Sequence, residues 1–133
     1  MNLNNDRMKA KIIRSDIKKE FYTEEGCYIL KLWNHEKDAS ASIARARVKP
    51  GITTQLHLLS GIIERYLITK GKGIVKVNDS DPEVVSIGDV VIIPENTPQQ
   101  ITNTGDEDLI FYCICTPRFT PNRYKTLEQK NDF

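Results

Sequence analysis

Short apolar and polar runs alternate along most of the chain with the period of two that belongs to strands. "CYILKLWN" (27–34) and "SASIARARV" (40–48) read as strands on either side of the turn-rich "NHEKDA". Pro50-Gly51 breaks the chain, residues 55–59 resume it, and Ser60-Gly61 turns it into "IIERYLIT" (62–69). "KGKG" is a tight turn before the strand "IVKV", and "NDSDP" has the composition of a hairpin loop. "EVVSIGDVVIIP" predicts two strands about Gly88-Asp89, and "QQITNTGDEDLIFYCICTP" a further pair about "NTGDED". About ten short strands, with turns roughly every 8–12 residues and no helical period between them, define an all-β sandwich or barrel.

The flanks carry a different pattern. Residues 1–26 form a polar N-terminal extension, with a short capped turn of helix predicted within "SDIKKEFYTEEG" (15–26). Residues 27–117 make the barrel, and 118–133 a polar C-terminal tail with one helical turn after Pro121. The chain has no internal repeat.

Composition narrows the function classes. A chain of 133 residues suits one domain with a single core. Lysine and arginine number 19 against 18 acidic residues, a net charge of +1, and no basic stripe stands out. That argues against nucleic acid and against an anionic membrane surface as partners. The apolar runs fall far short of the roughly 20 residues that span a bilayer. The start, "MNLNNDRMKAKIIRSDIKK", lacks the apolar core of a secretory leader, so the expected location is cytoplasmic. The three cysteines, Cys27, Cys113 and Cys115, are an odd set expected as reduced thiols.

Two spacings carry the chemistry. Gly51, His57, Leu59, Glu64 and Gly71 are separated by five, one, four and six residues. Gly88, Pro94, Asn96, Gln99 and Asn103 are separated by five, one, two and three. In this order, on an all-β background, they resemble the two motifs of the cupins over about residues 27–117. The resemblance implies a small single-domain jelly-roll barrel. It also implies a metal site built from His57, position 59, Glu64 and position 99, but here Leu59 and Gln99 stand at two of those places. Asn96 stands where the family has glycine, and asparagine tolerates the left-handed backbone such a turn needs. With only two histidines, and His35 in a polar loop, no multi-histidine centre can form within one chain.

Strand alternation puts His57 and Leu59 on one face, and Glu64 and Tyr66 on one face of the next strand. With Gln99 they are expected to line one cavity. Two readings of it stay open. In one, His57, Glu64 and Gln99 weakly hold a divalent zinc, iron or manganese ion, with water completing the shell. In the other the pocket is metal-free, and the same three residues form a hydrogen-bonded cluster for a small polar ligand. Buried Glu64 then needs a partner. Arg45 and Arg47 share one strand face and are candidate ligand-binding residues if that face is the inner one; solvated edge arginines are the alternative. Tyr66 is a candidate proton donor, Cys113 and Cys115 candidate thiol ligands or plain core residues, and Asn103 fits a turn role.

Two functional classes follow. An enzyme would use Glu64 and Tyr66 for proton transfer, metal-assisted or not, and the missing two-histidine carboxylate set favours an isomerase or lyase over oxygen activation. A non-catalytic binding or sensing module would exploit the apolar Leu58, Leu59, Ile62 and Ile63. A storage or structural role fits the polar cluster least. The resemblance implies a homodimer, with the N-terminal extension covering an open strand edge.

Overall fold

The computed structural model describes residues 8–128. Eleven strands form two antiparallel sheets. In chain order they are β1 (Phe21–Tyr22), β2 (Tyr28–Trp33), β3 (Ser42–Val48), β4 (His57–Leu59), β5 (Ile63–Lys70), β6 (Lys72–Val77), β7 (Glu83–Ser86), β8 (Val90–Ile93), β9 (Gln99–Asn103), β10 (Leu109–Thr116) and β11 (Tyr124–Thr126). One sheet runs β1-β2-β3-β10-β5-β8 and the other β11-β4-β9-β6-β7. Long crossovers between sheets, with no helix longer than a 3-10 turn among the described residues, make a jelly roll.

The alternation read from the sequence is the alternation that is buried. Along β5, Glu64, Tyr66 and Ile68 turn inward while their neighbours are only partly covered, and β9 buries Gln99, Ile101 and Asn103 in the same way. Ile68, Ile93, Ile101 and Leu109 reach 0–1% exposure in the main core, beside Val48 and Phe111. Each such aliphatic side chain contributes about 1.5–3 kcal/mol by leaving water. A smaller cluster of Leu59, Ile62 and Cys115 lies under Phe119 and Tyr124.

The motif glycine that closes the β5–β6 turn is explained by crowding. Gly71 sits at φ +81°, and a methyl group there would lie 2.8 Å from the Asp108 carbonyl oxygen. Asn96 adopts φ +59°, the left-handed backbone expected of it, and its Oδ1 accepts from Gly61 N at 3.0 Å. Asn103 is structural: its amide donates to Val48 O and Glu107 O, both at 2.8 Å, and its Oδ1 accepts from Gly105 N.

The described parts of the flanks, residues 8–26 and 118–128, are more ordered than their composition suggests. In place of a helical turn across 15–26, a single 3-10 turn spans Ile17–Lys19, capped by Asp16 Oδ1, and the chain then enters β1. Phe21 pairs with Ile29 and Tyr22 with Tyr28, so residues 23–27 are a hairpin turn, with Gly26 at φ +97°. The helical turn after Pro121 is present as a 3-10 turn, Pro121–Arg123. Beyond it, residues expected as tail form β11, which pairs Tyr124 with Leu59 and Thr126 with His57.

Candidate functional site

Between the sheets lies a cavity of about 500 Å³. Its walls are mostly apolar, with Ile29, Ala46, Leu59, Phe111 and Phe119 among the lining residues, and its polar residues include Glu25, His57, Glu64 and Tyr66. Register sets their positions. On β5 and β10, Glu64 lies opposite Cys115 and Tyr66 opposite Cys113; on β4 and β9, His57 lies opposite Gln99.

Gln99 joins the sheets. The Tyr66 hydroxyl donates to Gln99 Oε1, and Gln99 Nε2 donates to Glu64 Oε1 at 2.9 Å. The Cys115 thiol donates to Glu64 Oε2 at 3.6 Å. Burial raises the Glu64 carboxyl to about 7, against the lowering effect of the Gln99 hydrogen bond, while nearby Glu25 pushes it further up. Burial also holds Tyr66 well above its ordinary value.

The second cluster surrounds His57, which is 2% exposed. Its Nδ1 lies 2.7 Å from Gln55 O, and because a carbonyl only accepts, Nδ1 carries the proton. Nε2 then offers its lone pair towards Glu25 Oε1, 3.4 Å away. Burial pushes the Glu25 carboxyl up to about 7 and lowers the His57 imidazole, so near neutral pH the imidazole is uncharged and a protonated Glu25 can donate to Nε2. The Tyr124 ring stacks on His57 at 4.6 Å, and its hydroxyl donates to Gln55 Oε1 at 2.9 Å. The loop holding Glu25 is tied down by Gln55 N, which donates to Glu25 O at 2.7 Å.

Four of the expected residues, His57, Leu59, Glu64 and Tyr66, line the cavity, and Gln99 sits behind Glu64. Tyr66 does not stand free as a proton donor; its proton is committed to Gln99. Arg45 and Arg47 do not line the cavity. Along β3 the small residues Ser42, Ala44 and Ala46 take the inner parity, and the arginines take the outer one. Outside, both grip Glu20, at 3.0 Å from Arg45, and Arg47 also reaches Asp108 at 3.0 Å.

The expected metal ligands do not fit a cation as they stand. Gln99 turns its amide NH2 towards Glu64, and its one candidate ligand oxygen is taken by the Tyr66 hydroxyl. Among the described residues no group of three or more His, Cys, Asp or Glu is placed to hold a metal ion. All three cysteines are free and line the cavity, but burial raises every one of their thiols, Cys27 to about 12, so they remain protonated.

Glu25, Cys27, Gln55 and Tyr124 escaped the reading of the sequence. A hairpin signal was present for the first two, because "TEEG" precedes the alternating Cys27, Ile29, Lys31 that face the cavity. Tyr124 lies in a strand of three residues, too short for any period to show.

A jelly roll enclosing an apolar cavity lined by two glutamates has room for a small molecule, and comparison gives that barrel a family. The cupin domain family model matches residues 44–115, and the chain belongs to the cupins. An uncharacterised protein of Methanocaldococcus jannaschii is 32% identical over 122 residues, covering 89% of this chain and 97% of that one. The oxalate-binding protein of Thermotoga maritima is 34% identical over 71 residues, covering 53% of this chain and 58% of that one. Among solved structures, Streptomyces Pac13, described as a nucleoside dehydratase, superposes with a TM-score of 0.73 at 17% identity, over 93% of this chain and 95% of that one. No helix among the described residues is long and apolar enough to cross a membrane.

Proposed function

We propose that the cavity binds a small amphipathic molecule and moves a proton on it, as an isomerase or lyase does, without a tightly held metal. One observation carries the reading: two glutamates with carboxyls near 7, Glu25 and Glu64, share one largely apolar cavity beside a neutral imidazole. A general base works best with a pKa close to the working pH, and two acids whose surroundings differ can divide the roles of acid and base. Glu64, accepting from Gln99 and Cys115, is the base; protonated Glu25, donating to His57 Nε2, is the acid. Tyr66 is a positioning residue, which fixes the Gln99 amide so that its NH2 faces Glu64. The dehydratase among the similar folds is an enzyme of the same broad kind, a likeness of fold alone. The apolar walls support a second reading, a non-catalytic binding module.

The test is solvent exchange. Small hydroxy-carbonyl compounds bearing neutral, amino or carboxylate substituents are incubated with chelator-treated protein in deuterated water and followed by proton NMR. Protein-dependent deuterium uptake or elimination, lost in both Glu64→Gln and Glu25→Gln, is the expected result. No exchange with any compound, or exchange indifferent to both substitutions, leaves only the binding reading.

A further inference from the structure

The charge of the cavity says what kind of molecule it takes. Among the described residues, the ionisable side chains that line it are Glu24, Glu25, Glu64, Lys31, His57, the three cysteines, Tyr66 and Tyr124. The cysteines and tyrosines stay protonated, and His57 is held neutral by burial. Two acids, Glu25 and Glu64, therefore sit inside the cavity, and the exposed Glu24 and Lys31 balance each other at its edge. The Lys31 Nζ rests 5.6 Å from the centre of the Phe21 ring. No arginine lines the cavity among the described residues. Arg45 and Arg47 are spent on Glu20, Arg65 on Thr116 and Ile63 O, Arg118 on Asn34, and Arg123 on Ser60 O.

A dicarboxylate entering here would meet acids and no buried partner, and an unpaired buried charge is expensive. A cationic head group reverses the balance. It draws Glu25 and Glu64 into their ionised forms and donates to both, while an apolar body fits against Ile29, Ala46, Leu59 and Phe111.

We infer that the cavity selects an amphipathic amine, with its ammonium between Glu25 and Glu64 and its body on the apolar wall, and rejects small dicarboxylates. The inference rests on the reading that these two glutamates form the working end of the cavity, and names the charge class of what binds there.

The experiment reads binding, not turnover. Phenethylamine, 2-phenylethanol and phenylacetate share one apolar body and differ in the head group; oxalate has the charge without the body. Each is titrated calorimetrically into the full chain at a pH above the ionisation of both glutamates. The expected order of affinity is amine, alcohol, then phenylacetate, with no saturable binding of oxalate. Glu25→Gln and Glu64→Gln should each weaken the amine roughly ten- to a hundredfold, the loss of one charge-assisted hydrogen bond. The same variants should keep the wild-type near-ultraviolet circular dichroism, which shows that the cavity is still formed. Phenylacetate or oxalate binding more tightly than the amine, or no saturable binding of the amine at millimolar concentration, overturns the inference. Amine binding without solvent exchange would sink the proton-transfer reading alone, and exchange with a preference for phenylacetate would sink the charge assignment alone.

Discussion

Glu64 is where burial acts most directly on a single residue. Its carboxyl rises from the ordinary 4.5 to about 7, so the folded chain binds that proton more tightly than the unfolded chain does. The stability it contributes is therefore fully present below 4.5 and is lost as pH rises through about 7. Glu64→Gln removes the titration but keeps a group that can accept from Gln99. The melting temperature of this variant, minus that of the wild type, should grow between about pH 5 and about pH 8, by an amount worth up to about 3 kcal/mol. His57, with its lowered pKa, has the opposite slope; the Glu64 charge raises the imidazole, so the variant lowers it further and the difference still grows with pH. A difference that stays flat with pH would show that Glu64 is not desolvated. A second residue-scale prediction concerns Leu59 and Gln99. Leu59→His together with Gln99→His would put two imidazoles beside His57 and Glu64, and elemental analysis of the purified variant should find zinc, iron or manganese well above the wild-type content. Equal metal in both proteins would show that the missing ligands are not what sets the site's affinity.

At the scale of elements, the β4–β11 pair holds the environment of His57. Tyr124 covers the imidazole and belongs to a strand tied on by Leu127 N to Leu56 O at 2.9 Å and by Leu56 N to Glu128 Oε1 at 2.9 Å. Tyr124→Ala admits water to the ring, so the His57 titration followed by NMR should move up towards its ordinary 6.5. An unmoved titration would mean that the desolvation comes from elsewhere. This element also marks the limit of what the sequence discloses. The motif strands β5, β9 and β10 were legible because inward and outward residues alternate over a long enough run, while the three-residue β4 was placed by the motif spacing, and Pro94, Asn96 and the glycines fix the turns between them. His57, Leu59, Glu64, Tyr66 and Gln99 could be grouped for that reason. Parity misled for Arg45 and Arg47, because either face of "SIARARV" can be the inner one until the cavity shows that it takes the alanines. Glu25 and Tyr124 reach the site through contacts across 32 residues, to His57, and 69 residues, to Gln55, and no local period records such pairings.

For the whole molecule, the N-terminal stretch is one part whose exposure calls for a partner. Ile12, Ile13, Ile17 and Tyr22 are 73%, 52%, 65% and 64% exposed, on and just before the edge strand β1. An apolar edge left open invites pairing. We expect a two-fold homodimer in which this stretch is covered by the second copy. Light scattering should give twice the chain mass of 15.2 kDa, and Ile12→Asp with Ile17→Asp should return it to the single value. A wild-type monomer at high micromolar concentration would end the argument.

The strand that carries Tyr124 has one more consequence, for where the chain can be cut. Every other wall of the cavity is made of residues 21–121. Without this three-residue strip His57 lacks its stacked ring and β4 lacks an outer neighbour, while every other strand keeps its own partners. A proteolytic cut just before residue 124 therefore opens the site before it opens the barrel.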